Sequence, residues 1–488
     1  MKRTSDQAAI LFISKALTAG LLFALGPILV RKLDQAQYGT FLQINLITSL
    51  FVAILPCGIP QAISFFVPRI DPSKHFRFVT RTLTALFLLG SVGVVVIWAG
   101  KNYIGQWMNN PQLVTLAPYI GALIIVTILI DTTETIFLAY NRSGVVGIVL
   151  PIKAIARVVG VVLPLQLERG LTGALEGLII VGIAESLILY GYHVVRSSEE
   201  ASGPSGVSIA EQLRYAFPVG IIMIVGILGS SIDKFIVSSM FTPAQYALYA
   251  RGAFELPLVG ILPGMLFDLL LPKFSQYLHE GGKGEVLRLT SEAIRRTALA
   301  FYPICALCVV LADPLITFLF TDAYTASVPI FQVYVLLMLF QVAPLQIIFR
   351  ATGNNFPYLR VTLLRIVLGA ALTTGLLKLI GPIGAALAVV IIQAIVTLLC
   401  CVLAGHELNE PWKQLVPWND LARTFVLSAC IAVMILPITW LTLPKWAILI
   451  LGGGVFSLLF IFFAFYLRRI SEMDKEILTR WAALVVRP

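Results

Sequence analysis

Charge is scarce in this sequence. Only 12% of the 488 residues are Asp, Glu, Lys or Arg, against 58% apolar, and the mean hydropathy is +0.92. A soluble domain keeps about a quarter of its residues charged, so water is excluded as the main solvent. Metal-ligating residues are few and badly spaced. The six cysteines sit inside or at the ends of apolar runs, and Cys305 with Cys308, or the adjacent Cys400 and Cys401, lack the second pair that a structural zinc site needs. His75, His193, His279 and His406 show no ligand spacing either. No glycine-rich loop ends in Gly-Lys-Ser/Thr; the nearest segment, Gly281-Gly282-Lys283-Gly284, lacks the spacing and the hydroxyl that cradle phosphate and magnesium. The sequence therefore predicts no metal, no cofactor and no direct use of ATP. Long polar stretches are missing too. The longest, 273–296, is too short for an appended catalytic domain, and the short outer loops carry no cluster of acids such as a membrane glycosyltransferase or ligase would show. An enzyme is not expected.

What is present is apolar length. A bilayer core about 30 Å thick takes roughly 20 apolar residues per helix, and such stretches recur from near the first residue to Leu467. The first, 8–30, follows Lys2 and Arg3 as a signal peptide would, but it exceeds an ordinary signal core and contains Lys15, so it reads as a retained helix. Polar punctuation divides the chain into about 14 spans. The predicted fold is an all-α polytopic membrane protein: a first lobe of six spans (1–195), a cytoplasmic linker (196–214), a second lobe of six (215–404), two closing spans (405–467) and a tail (468–488). In the tail, Ile470, Met473, Ile477, Trp481 and Leu484 share one helical face, the pattern of a helix lying at a membrane interface. Pro56, Gly58 and Pro60 in the second span (39–66), and Pro257, Pro263 and Gly264 in the eighth (244–271), predict bends that serve as hinges.

Lys and Arg set the orientation, because basic loops are retained in the cytoplasm. With the N-terminus inside, the cytoplasmic segments hold most of the 35 basic residues, among them Arg69, Lys74, Arg77 and Arg81 before the third span and Arg295 and Arg296 before the ninth. Both termini are then cytoplasmic. The net charge of +10 follows from this topology and from affinity for anionic membrane lipids. Nucleic acid is not needed to explain it.

The chain also repeats itself. Ala36-Gln37-Tyr38-Gly39-Thr40-Phe41 after the first span is matched by Ala244-Gln245-Tyr246-Ala247-Leu248-Tyr249 after the seventh. Leu171-Thr172-Gly173-Ala174 is matched by Pro382-Ile383-Gly384-Ala385, and Lys153 of the fifth span by Arg365 of the eleventh, at nearly the same offset. Units of six spans enter the membrane in the same direction, which implies a parallel repeat about an axis along the membrane normal. Such bundles move cargo by rocking one lobe against the other, so duplication argues for a transporter over a receptor or an anchor.

Arg31-Lys32-Leu33, Tyr38-Gly39 and Gly58-Ile59-Pro60-Gln61-Ala62-Ile63 resemble the opening of the bacterial polysaccharide-transporter family. Ile232-Asp233-Lys234-Phe235-Ile236, Ala247-Leu248-Tyr249-Ala250, Leu256-Pro257 and Leu270-Leu271-Pro272-Lys273 are similar to that family's second copy of the pattern, with Ala247 where the pattern has glycine. These are the O-antigen and exopolysaccharide flippases of the multidrug/oligosaccharidyl-lipid/polysaccharide (MOP) superfamily. The resemblance implies an inner-membrane flippase that carries an undecaprenyl-pyrophosphate-linked glycan from the cytoplasmic to the outer leaflet, alongside polysaccharide polymerase machinery.

Intramembrane charges supply the candidate site, since each costs about 2.5–3.5 kcal/mol at the bilayer centre and so faces a cavity or a partner. Lys15 in the first span could attract phosphate or snorkel to the headgroups. Arg251 can grip phosphate bidentately, yet Glu255 stands four residues on and could neutralise it on one helix. Lys153 and Arg157 share a face of the fifth span, with Arg365 as the symmetry mate of Lys153; pairing with Asp131 and Glu134 is their structural alternative. Asp233 and Lys234, about 100° apart on a helix, are gating candidates, and Glu185 and Asp268 are candidates for a proton or sodium site. Lys15, Lys234 and Arg251 are balanced by Asp233, Glu255 and Asp268, so counting charges leaves two cargoes open: an anionic lipid-linked glycan, or cationic drugs exported by a proton- or sodium-coupled member of the same superfamily.

Overall fold

A computed structural model describes residues 2–140, 143–197 and 207–466; the side chains before Ile13 and a few others, Asp268 among them, lie outside that description. The expected interfacial tail helix also lies outside it. Among the described residues every regular element is helical, and thirteen helical stretches are long and apolar enough to cross a membrane. The chain forms two compact units, 1–261 with 355–392, and 262–354 with 393–488.

The first unit contains α1 (Lys2–Lys32), α2 (Gln35–Ile54), α3 (Ile59–Phe66), α4 (His75–Trp107), α5 (Gln112–Ala139), α6 (Ser143–Gln166), α7 (Gly170–Ser197), α8 (Ile209–Met240) and α9 (Pro243–Gly252). It also takes the start of α10 (Pro257–His279). The second unit takes the rest of α10, then α11 (Lys283–Val310), α12 (Ala312–Phe320), α13 (Val328–Tyr334) and α14 (Gln346–Thr352). The chain then returns to the first unit as α15 (Phe356–Ile380) and the opening of α16 (Pro382–Leu408). It closes in the second unit with α17 (Trp412–Leu415), α18 (Trp418–Ile435) and α19 (Lys445–Tyr466).

Local chemistry starts these helices where the sequence allows. Ser208 and Glu211 form a capping box at α8, the Glu211 N–H donating to Ser208 Oγ at 3.1 Å and the Ser208 N–H to Glu211 Oε2 at 2.6 Å. The turn before α4 is built by Asp71, which accepts from the Ser73 N–H at 3.0 Å and the Ser73 hydroxyl at 2.8 Å. Those donors hold its carboxyl below the usual aspartate range. Outward faces stay apolar: Ile148, Ile152, Ile155, Val159 and Leu163 form one exposed stripe along α6. A stripe of that size in water would aggregate, and lipid is the solvent that fits it. Between helices the packing relies on small residues, as membrane bundles do. A Cβ on Gly177 of α7 would lie 1.6 Å from the Gly160 carbonyl oxygen of α6.

Two expected spans are interrupted. The second breaks at Leu55–Gly58, where Gly58 takes φ 79° and Pro60 opens α3. The eighth breaks after Gly252, leaving 253–256 non-helical before Pro257 starts α10. The first bend falls at Pro56, Gly58 and Pro60, and the second ends at Pro257, whereas Pro263 and Gly264 lie within α10. The tenth span, expected as one helix over 328–349, instead runs as α13 and a 3-10 turn to Leu339. Non-helical backbone with Pro344 then precedes α14, because that proline has no N–H to continue the ladder.

The matched motifs have matched structures. Asp34 caps α2 by accepting from the Gln37 N–H at 2.8 Å, and Thr242 caps α9 by accepting from the Gln245 N–H at 3.4 Å. Tyr38 and Tyr246, one turn in, are both buried. The two helices pack on each other, and a Cβ on Gly39 would fall 1.8 Å from the Pro243 carbonyl oxygen. Gly170 and Gly381, which precede the other matched pair, both have positive φ. Within this unit α1 packs on α6 as α8 packs on α15. The α2–α9 junction admits no side chain at position 39: Gly39→Val is expected to destabilise the protein by at least about 1–3 kcal/mol, the range for overpacking, read as a lowered melting temperature in detergent, whereas Gly144→Ala, with open space around it, leaves it unchanged.

Candidate functional site

Six charged side chains on four helices converge in the first unit. Lys15 of α1 reaches Glu134 of α5 at 3.1 Å. Arg157 of α6 lies 3.9 Å from Glu185 of α7, and Lys153, one turn before it, donates to the Ile130 carbonyl at 3.3 Å. Asp131 completes the group. Asp131, Glu134, Lys153 and Arg157 line a cavity of about 170 Å³, closed by Thr18 and Leu22 of α1 and by apolar side chains of α5 and α6. The stacking follows from helical periodicity, since Lys153 and Arg157 are four residues apart on α6 and therefore share the face that packs on α1.

The pairing differs in detail from the sequence expectation. Lys153 and Arg157 line one cavity with Asp131 and Glu134, but Glu134 pairs with Lys15, Lys153 donates to the Ile130 carbonyl, and the ion pair of Arg157 is with Glu185 on the next helix. Lys15 is thus held by an ion pair and not only by snorkelling.

A second polar centre lies at the junction of α2, α8 and α9. Asp233 is 1% exposed, and the buried Tyr249 hydroxyl donates to its Oδ2 at 2.7 Å. The Arg251 guanidinium sits 4.8 Å from the centre of the Tyr38 ring, a cation–π contact. Space for it exists because α1 has glycine at position 26, where a Cβ would lie 3.1 Å from Arg251 Nη1. The proposed i, i+4 neutralisation of Arg251 by Glu255 loses its helix: α9 ends at Gly252, so Glu255 stands on non-helical backbone. Lys234 is half-buried on α8. Arg365 lies on α15 against Gly229 of α8, apart from the six-charge group. Asp268 falls on α10, outside the described side chains.

Sequence reasoning missed the partners more than the charges. Tyr38 and Tyr249 were visible only as members of the repeated motifs. Nothing flagged the buried amide network in which Gln43 Nε2 donates to Ser238 Oγ at 3.0 Å and Asn110 Nδ2 to Gln43 Oε1 at 2.6 Å. In the second unit, a larger cavity of about 510 Å³ is almost wholly apolar, walled by Leu339, Phe340, Leu398, Leu421, Phe425 and neighbours from α11, α16 and α18. Among the described residues no group of His, Cys, Asp or Glu could hold a metal ion.

The fold is one shared with solved membrane transporters. The fold matches a lipid II flippase, MurJ, in an inward closed conformation at TM-score 0.71 and 15% identity, covering 95% of this chain and 99% of that one. It also matches an inward-facing multidrug resistance transporter of the MATE family at TM-score 0.64 and 14% identity, covering 82% and 94%. A MOP-superfamily transporter from Pyrococcus furiosus matches at TM-score 0.58 and 14% identity, covering 83% and 95%. No curated protein matches the sequence. The sequence model for polysaccharide biosynthesis proteins matches residues 28–329, and the chain belongs to that family.

The Tyr249–Asp233 contact is testable by itself. Tyr249→Phe strips a buried carboxyl of its donor and is expected to cost about 1–3 kcal/mol, seen as a lower melting temperature. Asp233→Asn, which keeps an acceptor oxygen for the hydroxyl, is expected to cost less.

Proposed function

We propose that the protein flips an anionic lipid-linked oligosaccharide, of the undecaprenyl-pyrophosphate type, from the cytoplasmic to the outer leaflet of a bacterial inner membrane for cell-surface polysaccharide synthesis. The observation that carries this reading is a cavity inside apolar helices that Lys153 and Arg157 line, with Lys15 paired to Glu134 on its wall. Cations kept at such depth are expensive unless a function needs them. Their carboxylate partners act as stand-ins that a pyrophosphate displaces, its oxygens offering stronger charge-assisted hydrogen bonds. Arg251, stacked on Tyr38, offers a further hold on the headgroup, and Arg365 plays the equivalent part on α15. Asp233 and Lys234 serve as gating groups at the α8–α9 corner. The apolar cavity of the second unit suits the hydrocarbon of the carrier lipid, which finds no polar lining there to desolvate.

Family membership supports the cargo class, and the MurJ likeness supports the mode of action. The basic loops support cytoplasmic termini, and the matched motifs support two six-span lobes that rock about the bends at Gly58 and after Gly252.

The test is translocation of a lipid-linked oligosaccharide in proteoliposomes. Arg251→Ala and Lys15→Ala, at equal incorporation and equal thermal stability, are each expected to lower the rate about tenfold or more, the equivalent of losing a charge-assisted hydrogen bond of about 1.5–3 kcal/mol. If the glycolipid is ignored while a cationic dye is extruded against an imposed ion gradient, the protein is a drug exporter of the same fold and the flippase reading fails.

A further inference from the structure

One buried acid is held only loosely by this ion pairing. Glu185 is 12% exposed at its side chain, and both of its carboxylate oxygens are inaccessible and lack a hydrogen-bond donor among the described residues. Its nearest cation, Arg157, stands 3.9 Å away, beyond hydrogen-bond distance. The other cations are engaged elsewhere: Lys15 with Glu134 at 3.1 Å, and Lys153 with the Ile130 carbonyl at 3.3 Å. Helix α7 packs on α6, α5, α4 and α2. Helix α6 turns Arg157 and Lys153 towards Glu185 and α5 turns Asp131, a like charge. Helix α2 carries no Asp, Glu, Lys or Arg, and the ionisable residues of α4, at 75, 77, 81, 101 and 103, lie towards its two ends.

An ionised carboxylate in that setting is desolvated with no donor to replace water, a penalty of several kcal/mol. The neutral acid avoids most of it. Arg157, 3.9 Å from Glu185, lines a cavity of about 170 Å³ together with Asp131 and Lys153; that cavity is polar and wide enough for water, and brings a proton source to within one side chain of Glu185.

We infer that Glu185 is a proton-binding site of the transporter, loaded and emptied through the cavity between α1, α5 and α6. Its protonation state sets the charge of the cluster. With Glu185 ionised, three acids balance three bases; with Glu185 protonated, Lys15, Lys153 and Arg157 outnumber Asp131 and Glu134 by one, and the cavity favours an anion. Binding of the proton and of an anionic headgroup are then linked, each strengthening the other by the same factor. The proton site stands on the geometry of Glu185, whereas its link to cargo rests on the flippase reading.

Infrared difference spectra of the reconstituted wild-type protein, recorded across about pH 5 to about pH 9, the span in which buried glutamates titrate, test the site with no cargo present. A protonated-carboxyl band should disappear as pH rises, be missing in Glu185→Gln and persist in Glu134→Gln. A band that survives Glu185→Gln, or no such band at any pH, overturns the proton site. Translocation then tests the link: acidifying the side from which the headgroup loads should raise the wild-type rate, and Glu185→Gln should make the rate insensitive to pH. If the band behaves as stated but no glycolipid moves, the cargo reading fails and the proton site remains. If glycolipid moves at a rate that responds to pH equally in wild type and Glu185→Gln, the link is wrong.

Discussion

Charge inside an apolar bundle has to be answered by charge, and this protein answers it between helices. Lys15 finds Glu134 across the α1–α5 gap, and Arg157 finds Glu185 across the α6–α7 gap. Much else in the first unit serves that arrangement. Small residues bring α6 and α7 into backbone contact at Gly160 and Gly177, which draws their side chains within reach of one another. Cross-helix pairs of this kind can be exchanged for an incoming anion without unwinding any backbone, because neither partner caps or closes its own helix. A bundle whose acids and bases were matched along single helices would hold its charges in pairs that no relative motion of helices could separate.

Much of the fold was legible because lipid imposes so few choices. A stretch of about 20 apolar residues leaves the backbone no solution but a helix, so spans could be bounded by polar punctuation alone. The bends in the second and eighth spans were legible for a related reason: proline lacks the donor and glycine tolerates positive φ, as Gly58 does. The tenth span was misjudged as continuous. Its hydropathy is that of a helix, and Pro344, which lies in the interruption, was not among the prolines singled out.

The site was legible as a roster and not as a geometry. Lys15, Lys153, Arg157 and Glu185 stood out because charge is rare at depth. Which acid meets which base depends on helix rotation and on neighbours far away in sequence, and spacing along one chain does not encode that. The helical spacing read for Arg251 and Glu255 shows the limit sharply: an i, i+4 argument presumes a helix, and α9 stops at Gly252. Tyr249, sixteen residues from Asp233, was beyond any local rule.

The meeting of α2 with α9 is lopsided. Gly39 leaves room for the Pro243 carbonyl, while its counterpart in the matched motif, Ala247, keeps a Cβ at a buried position. Two identical subunits related by symmetry would be obliged to carry the same residue at both places. A single polypeptide is under no such obligation, so each side of this junction can be fitted to its own neighbour, glycine where backbone intrudes and alanine where it does not.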